Sequence, residues 1–116
     1  MALKVISPKA LDEKLQKKEP IFLLDVRAEE KYNEYHITDP NIKNQNIPKN
    51  IIFDLEGNGE EGLQSLPKNG EIVVTCTTGN SARKCAEILS QKDYQVTLLE
   101  GGITAWKQYI DTKHED

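Results

Sequence analysis

The sequence lacks the features that mark several common classes of protein. Only two of its 116 residues are cysteine and two are histidine, which is too few for a disulfide scaffold, and no Cys/His spacing suits zinc. No apolar run approaches the roughly 20 residues that a membrane-spanning helix needs. The N-terminus also lacks the apolar stretch and cleavage site of a signal peptide. We therefore expect no metal, no cofactor, no membrane contact and a reducing, cytoplasmic setting.

The chain has no excess of positive charge, since 19 acidic residues outnumber 15 lysines and arginines. The formal net charge is −4 and the isoelectric point is near 5.2, which argues against nucleic acid or an anionic membrane as the main partner. Hydrophobic residues make up 37% of the chain and the mean hydropathy is −0.61, as in a protein with a modest interior. The length predicts one domain over residues 1–116, with a core from about 3 to 110 and a polar tail at 111–116.

Apolar segments alternate with helical patterns along the chain, which predicts an α/β domain with a parallel sheet and right-handed crossovers. The predicted strands lie at 5–6, 21–24, within 47–53, at 72–75 and at 95–99. The predicted helices follow the N-cap Ser7 and cover 28–35, 82–89 and 103–109. Residues 38–46 are interpreted as an inserted surface loop, residues 56–62 as a flexible acidic turn, and Leu63 with Leu66 as one helical turn.

The most informative stretch runs from Glu71 to Ser90. An apolar, β-branched strand ends at Thr75, Cys76 follows directly, and six small or polar residues lead into the next helix. In open α/β sheets, ligands bind in the crevice beyond the carboxyl ends of the strands. The sequence therefore predicts a thiol at the edge of the sheet where chemistry takes place.

The composition of this loop favours a reactive thiolate. Gly79 permits a positive φ, and the short side chains around it leave backbone N–H groups free to turn inward at a helix N-terminus. Arg83 and Lys84 lie in the first turn of that helix. The alternative interpretation is that Cys76 is an inert, buried cysteine that packs as a small hydrophobic side chain.

Several motifs resemble those of the rhodanese family. The loop reads C-T-T-G-N-S-A from Cys76, and L-L-E-G-G-I-T-A-W follows further on. Upstream stand L-L-D-V-R-A-E-E-K-Y-N-E-Y-H-I and then N-I-P from Asn46, so the resemblance extends from about Ser7 to Trp106. The chain departs from the family's pattern at Lys31, where an acidic residue is usual, and at Tyr35, where glycine precedes His-Ile.

The resemblance implies a single-domain rhodanese-like fold, with a five-stranded, mainly parallel sheet flanked by helices on both faces. It also implies a sulfurtransferase in which Cys76 carries a sulfane sulfur as a persulfide, from a persulfide or thiosulfate to a thiol or cyanide. The expected partners are these small donors and acceptors or a persulfide-carrying protein. The implied binding loop comprises Thr77, Thr78, Gly79, Asn80, Ser81 and Ala82, and the candidate supporting residues are Arg83, Asp25 and Arg27.

Simpler structural roles compete for several of these residues. Ser81 is also a candidate N-cap for the helix, and Asp25 with Arg27 would more commonly tie down loops at a strand end. Thr77 and Thr78 stand where relatives that use thiosulfate often carry basic residues. We therefore expect weak thiosulfate:cyanide activity and a better donor in a low-molecular-weight or protein persulfide.

Two other functions remain open from the sequence. The first is a non-catalytic or redox-regulatory module, in which Cys85 would resolve an oxidised Cys76. Cys85 falls on the sheet-facing stripe with Ala82, Ala86 and Leu89, which favours a core role instead. The second is a phosphatase of the same fold, which needs an arginine six residues after the cysteine. Ala82 stands there, and Arg83 is one place late.

Phosphatase activity gives a first test. One residue of slip turns a side chain by about 100° around a helix, so we expect no turnover of para-nitrophenyl phosphate above that of the Cys76→Ser variant. The absorbance of released nitrophenolate measures it. Cysteine-dependent hydrolysis would contradict this interpretation.

Overall fold

A five-stranded parallel sheet forms the centre of the protein in the computed structural model, which describes residues 3–53 and 66–114. The strand order is β1-β5-β4-β2-β3, and all four neighbouring pairs are parallel. The strands are β1 (Lys4–Ile6), β2 (Ile21–Asp25), β3 (Ile42–Asn46), β4 (Glu71–Thr75) and β5 (Gln95–Leu99). The predicted α/β class is confirmed.

Helices cover both faces of this sheet. They are α1 (Pro8–Gln16), α2 (Glu29–Glu34), α3 (Lys49–Phe53), α4 (Asn80–Gln91) and α5 (Gly102–His114). The buried side chains form two clusters, one that includes the inward faces of α3 and α4 and one that includes those of α1 and α5. Trp106 belongs to the second cluster and is 6% exposed.

Strand β4 lies in the middle of the sheet because its side chains are apolar on both sides. Ile72 and Val74 pack with α4, whereas Val73 packs in the cluster of α1 and α5. The predicted stripe of α4 is also confirmed, since Ala82, Cys85, Ala86 and Leu89 are all fully buried. A strand covered on both faces has no solvent side, so its sequence is a continuous hydrophobic run.

The prediction between residues 38 and 53 was wrong in its order of elements. Residues 42–46, interpreted as surface loop, form β3, which pairs with β2 from Ile21↔Ile42 to Asp25↔Asn46. The segment 47–53, predicted to hold a strand, instead contains helix α3. An edge strand is only partly buried, so it tolerates polar residues that are poor strand formers. Pro48, directly before α3, suits the first turn of a helix.

The short helix α2 contributes none of its own side chains to the core. Tyr35 is 36% exposed and α2 contains no buried residue, whereas Ile37 just beyond it is 1% exposed. Tyr32 stacks on His36 with ring centroids 4.0 Å apart. The predicted acidic turn at 56–62 and Leu63 lie outside the described residues.

Helix α5 extends further than the sequence indicated. The predicted polar tail is helical as far as His114, and Lys113 donates a hydrogen bond to the carboxylate of Asp12 at 2.7 Å. Tyr109 and Gln16 donate to the same oxygen, at 2.7 and 3.0 Å. This buried carboxylate therefore joins α1 to the last turns of α5.

Replacement of Asp12 should destabilise the protein in a pH-dependent way. Burial raises the pKa of Asp12, but the hydrogen bonds from Lys113 and Tyr109 outweigh it and leave the pKa below its usual value. A carboxyl whose pKa is lowered by folding stabilises above its unfolded pKa of about 4, and this contribution is lost as the pH falls through the folded value. We expect Asp12→Asn to lower the free energy of unfolding by about 1–2 kcal/mol at pH 7.

Urea denaturation from pH 7 to pH 3 measures this effect. Glu13→Gln is the matched control because Glu13 is the exposed neighbour on the same helix. A difference between Asp12→Asn and the wild type that stays constant down to pH 3 would contradict the assigned hydrogen bonds.

Candidate active site

Cys76 lies at the carboxyl end of β4, where the chain turns into the loop before α4. Its Sγ accepts hydrogen bonds from the backbone N–H groups of Gly79 and Ala82, with N···S distances of 3.0 and 3.3 Å. Two N–H donors directed at a sulfur stabilise negative charge on that atom. Of the six loop residues named from the sequence, these two supply the backbone donors found at the thiol.

Gly79 makes this turn possible. It is the N-cap of α4 with a φ of 101°, in the left-handed region that other residues rarely adopt. The predicted N-cap role of Ser81 was wrong, because α4 already begins at Asn80 and the cap carries no side-chain hydrogen bond. The Ser81 hydroxyl instead accepts from Lys49 Nζ at 3.5 Å. Because Gly79 both caps α4 and donates its N–H to Cys76 Sγ, the positive end of the α4 dipole lies beside the sulfur.

The N-terminus of α5 holds the other side of the loop, which the sequence analysis did not anticipate. The N–H of Ile103 donates to the Cys76 carbonyl at 2.8 Å, and the N–H of Thr104 donates to the Thr77 carbonyl at 2.9 Å. Gly102, with a φ of 63°, allows this approach, since a Cβ there would lie 2.4 Å from the Cys76 carbonyl oxygen. The pair Gly101-Gly102 was the signal in the sequence that could have indicated this contact.

The thiol borders a cavity of about 240 Å³, which we call the thiol cavity. Lys31 from α2 and Lys49 from α3 line it together with Thr77 and Thr78. Neither lysine was among the site residues named from the sequence, because both are distant from Cys76 along the chain. Cations at this cavity therefore come from other elements and not from the loop itself.

Asp25 and Arg27 form a buried ion pair at the wall of this site. Arg27 Nη2 lies 2.6 Å from Asp25 Oδ2, and its Nε donates to both carboxylate oxygens at 3.0 Å. Arg27 also donates to the Tyr35 carbonyl, and Asn46 Nδ2 donates to the carbonyls of Asp25 and Arg27 at 3.0 Å. This network joins β2, α2 and β3, so the pair has the loop-fixing geometry that the sequence analysis favoured.

Two remaining candidates lie away from the thiol cavity. The exposed Arg83 lines a different cavity of about 670 Å³, with Asn80 and Glu100, which meets the thiol cavity only at Thr78. Cys85 is fully buried, and burial raises the pKa of its thiol to about 12. Cys85 therefore stays protonated at neutral pH and has the properties of a core residue.

The described residues contain no group of three or more potential metal ligands. Among them, no helix combines the length and the apolar character that would allow it to cross a membrane.

A parallel sheet with a thiol that accepts hydrogen bonds from loop amides is the architecture that the sequence motifs suggested. Comparison with known proteins decides the family. The sequence model of the rhodanese-like domain matches residues 7–109. The chain belongs to the rhodanese-like domain family. A crystal structure of a rhodanese-like domain protein from Staphylococcus aureus is similar, with a TM-score of 0.73 and 31% identity over 90% of this chain and 91% of that one.

Two curated relatives of this rhodanese-like chain carry names of sulfurtransferases. YtwF of Bacillus subtilis, which is provisionally named a sulfurtransferase, is 30% identical over 92% of this chain and 93% of its own length. The adenylyltransferase and sulfurtransferase uba4 of Ogataea parapolymorpha is 31% identical over 85% of this chain but only 23% of its own length. The chain thus spans about a quarter of that two-activity protein.

The close approach at Gly102 predicts a sensitive position. Gly102→Ala would bring a Cβ against the Cys76 carbonyl at a positive φ, so we expect a loss of about 2 kcal/mol in unfolding free energy. We also expect a changed rate of Cys76 alkylation by iodoacetamide. Gly70→Ala is the control because a Cβ there meets nothing within 4 Å. Equal stability and equal alkylation rates for the two variants would refute the contact.

Proposed function

We propose that this rhodanese-like domain is a sulfurtransferase in which Cys76 takes up a sulfane sulfur and passes it to a nucleophilic acceptor. The observation that carries the proposal is the environment of Sγ, which receives two backbone N–H groups and borders an open cavity. Preorganised donors of this kind stabilise a thiolate and equally a persulfide anion. The sulfurtransferase names of two relatives support the same activity.

The reaction has two half-reactions. The Cys76 thiolate attacks the outer sulfur of a donor persulfide, a new S–S bond forms, the donor's S–S bond breaks, and the donor leaves as a thiolate. The outer sulfur of the enzyme persulfide is then attacked by a thiolate or cyanide, which leaves with that sulfur and regenerates the Cys76 thiolate. Because the enzyme alternates between two covalent states, ping-pong kinetics are expected.

The residues around the thiol have distinct proposed roles. Gly79 and Ala82 hold charge on the sulfur through their N–H groups. Thr77, Thr78 and Ser81 line the thiol cavity through which the substrate approaches, whereas Asn80 lines the cavity of Arg83. Lys31 and Lys49 add positive charge to the thiol cavity. Asp25 and Arg27 act indirectly by fixing the wall, since each satisfies the charge of the other.

The preference for organic or protein persulfides over thiosulfate remains a prediction. This prediction came from positions 77 and 78, where threonines stand in place of the basic residues that thiosulfate-using relatives often carry. Lys31 and Lys49 partly offset the absence of those basic residues, but long, flexible ammonium side chains grip a dianion less rigidly than donors built into the loop.

The proposal is tested by mass spectrometry of the intact protein after treatment with a panel of donors. We expect one added sulfur atom, located on Cys76, which is lost on addition of cyanide as thiocyanate forms. Cys76→Ser should take up no sulfur, whereas Cys85→Ser, the matched cysteine control, should behave as the wild type. A Cys76–Cys85 disulfide would indicate redox sensing instead, and undiminished transfer by Cys76→Ser would refute the mechanism.

A further inference from the structure

A second cavity, of about 370 Å³, adjoins the thiol cavity, and we call it the outer cavity. Arg27, Lys31 and Thr77 line both cavities, so the two share a wall beside the thiol. The outer cavity continues past Glu34 and Tyr35 to Lys107 on α5. Its volume falls in the range of about 300–1,000 Å³ that is typical of small-molecule sites. A donor as small as thiosulfate would leave most of this space unused.

Lys107 lies on the same helix that contacts the thiol loop. Helix α5 begins against the loop, where the N–H of Ile103 bonds to the Cys76 carbonyl. Lys107 lies four residues further, which is about 6 Å along the helix axis. Lys107 lines the outer cavity but not the thiol cavity, whereas Cys76 lines only the thiol cavity. The ammonium group is therefore placed for a group attached to the reacting sulfur and not for the sulfur itself.

Lys107 is also held in place. Its Nζ lies 4.4 Å from the centre of the Tyr35 ring, within the range of a cation–π contact. The Tyr35 carbonyl in turn accepts a hydrogen bond from Arg27, which is bound to Asp25. A cation positioned before the ligand arrives loses less side-chain freedom on binding.

The charges that line the outer cavity define the ligand chemistry. Arg27 is neutralised by Asp25, which leaves the ammonium groups of Lys31 and Lys107 and the carboxylate of Glu34. Two cations and one anion complement a molecule that carries two carboxylates and one ammonium. The persulfide of a peptide thiol such as glutathione has this character, whereas thiosulfate and simple alkyl persulfides do not.

We propose that the outer cavity binds the organic part of an amino-acid-derived persulfide that carries more carboxylate than ammonium, and that Lys107 is the residue that determines this specificity. This inference rests on the proposed sulfur transfer through Cys76. The persulfide's outer sulfur forms a bond to Cys76 Sγ as the donor's S–S bond breaks. The displaced organic thiolate then dissociates, and until it does so its carboxylates face Lys107. The donor needs no other reactant.

The test compares two donors with four forms of the full chain. Glutathione persulfide carries two carboxylates and one ammonium, and 2-hydroxyethyl persulfide carries neither. The forms are the wild type, Lys107→Ala, Lys107→Arg and Lys17→Ala. Lys17 is the matched control because it is exposed beyond the carboxyl end of α1, at the edge of the sheet opposite the thiol. Initial rates of sulfur transfer to cyanide give kcat and KM for each pair.

We expect Lys107→Ala to raise KM for glutathione persulfide about two- to fivefold with little change in kcat, since one exposed ion pair is lost. KM for 2-hydroxyethyl persulfide should not change. Lys107→Arg should restore the wild-type value, Lys17→Ala should match the wild type, and added salt should reduce the difference between donors. Equal effects of Lys107→Ala on both donors, or none on either, would overturn the inference.

A binding measurement separates this inference from the proposed function. Glutathione itself, the thiol that leaves, should perturb the backbone amide signals of Tyr35 and Lys107 in NMR spectra of the wild type, and less so in Lys107→Ala. Such binding without sulfur uptake on Cys76 would refute the sulfurtransferase proposal and the donor role together while leaving the anion site in place. Sulfur uptake without such binding would refute the outer-cavity site alone.

Discussion

The site depends on two hydrogen bonds between the start of α5 and the loop that follows β4. Ile103 and Thr104 donate to the carbonyls of Cys76 and Thr77. In a trans peptide the C=O and the following N–H point in opposite directions. Carbonyls directed at α5 therefore turn the N–H groups of Thr77 and Thr78 away from it, and the loop presents donors on one side and acceptors on the other. The glycines at 101 and 102, both at positive φ, let α5 begin close enough to make these bonds.

This constraint explains why a thiol at a strand end does not become an ordinary core cysteine. Cys76 is 5% exposed, little more than the fully buried Cys85, and both side chains belong to the same buried cluster. Their polar surroundings nevertheless differ. Cys85 lies among apolar side chains of the sheet-facing helix, which disfavour its thiolate. Cys76 receives two amide donors and borders a cavity with two lysines. The difference between them lies in the direction of backbone dipoles and not in solvent exposure.

The charged residues of the site are of two kinds: an ion pair that is satisfied internally, and lysines whose charge is available to a ligand. The buried Asp25–Arg27 pair is satisfied internally and connects three elements, so its role is to hold the wall of the site. Lys31, Lys49 and Lys107 come from three different helices and line the two cavities. An acidic protein with a net charge of −4 thus presents cations where an anionic sulfur donor would enter.

The sequence alone determined the α/β class, the central strand, the buried stripe of α4 and the thiol at the strand end, because hydrophobic periodicity and local turn chemistry encode these features within a few residues. It did not determine β3 and α3, where Asn44 and Asn46 joined a strand through pairing with β2 and the Ile51–Phe53 segment became helical. It also missed the contact of α5 with the loop, the Asp12 network and the lysines at the cavities. Those features join residues far apart in the chain, and such contacts exist only once the helices have packed on the assembled sheet.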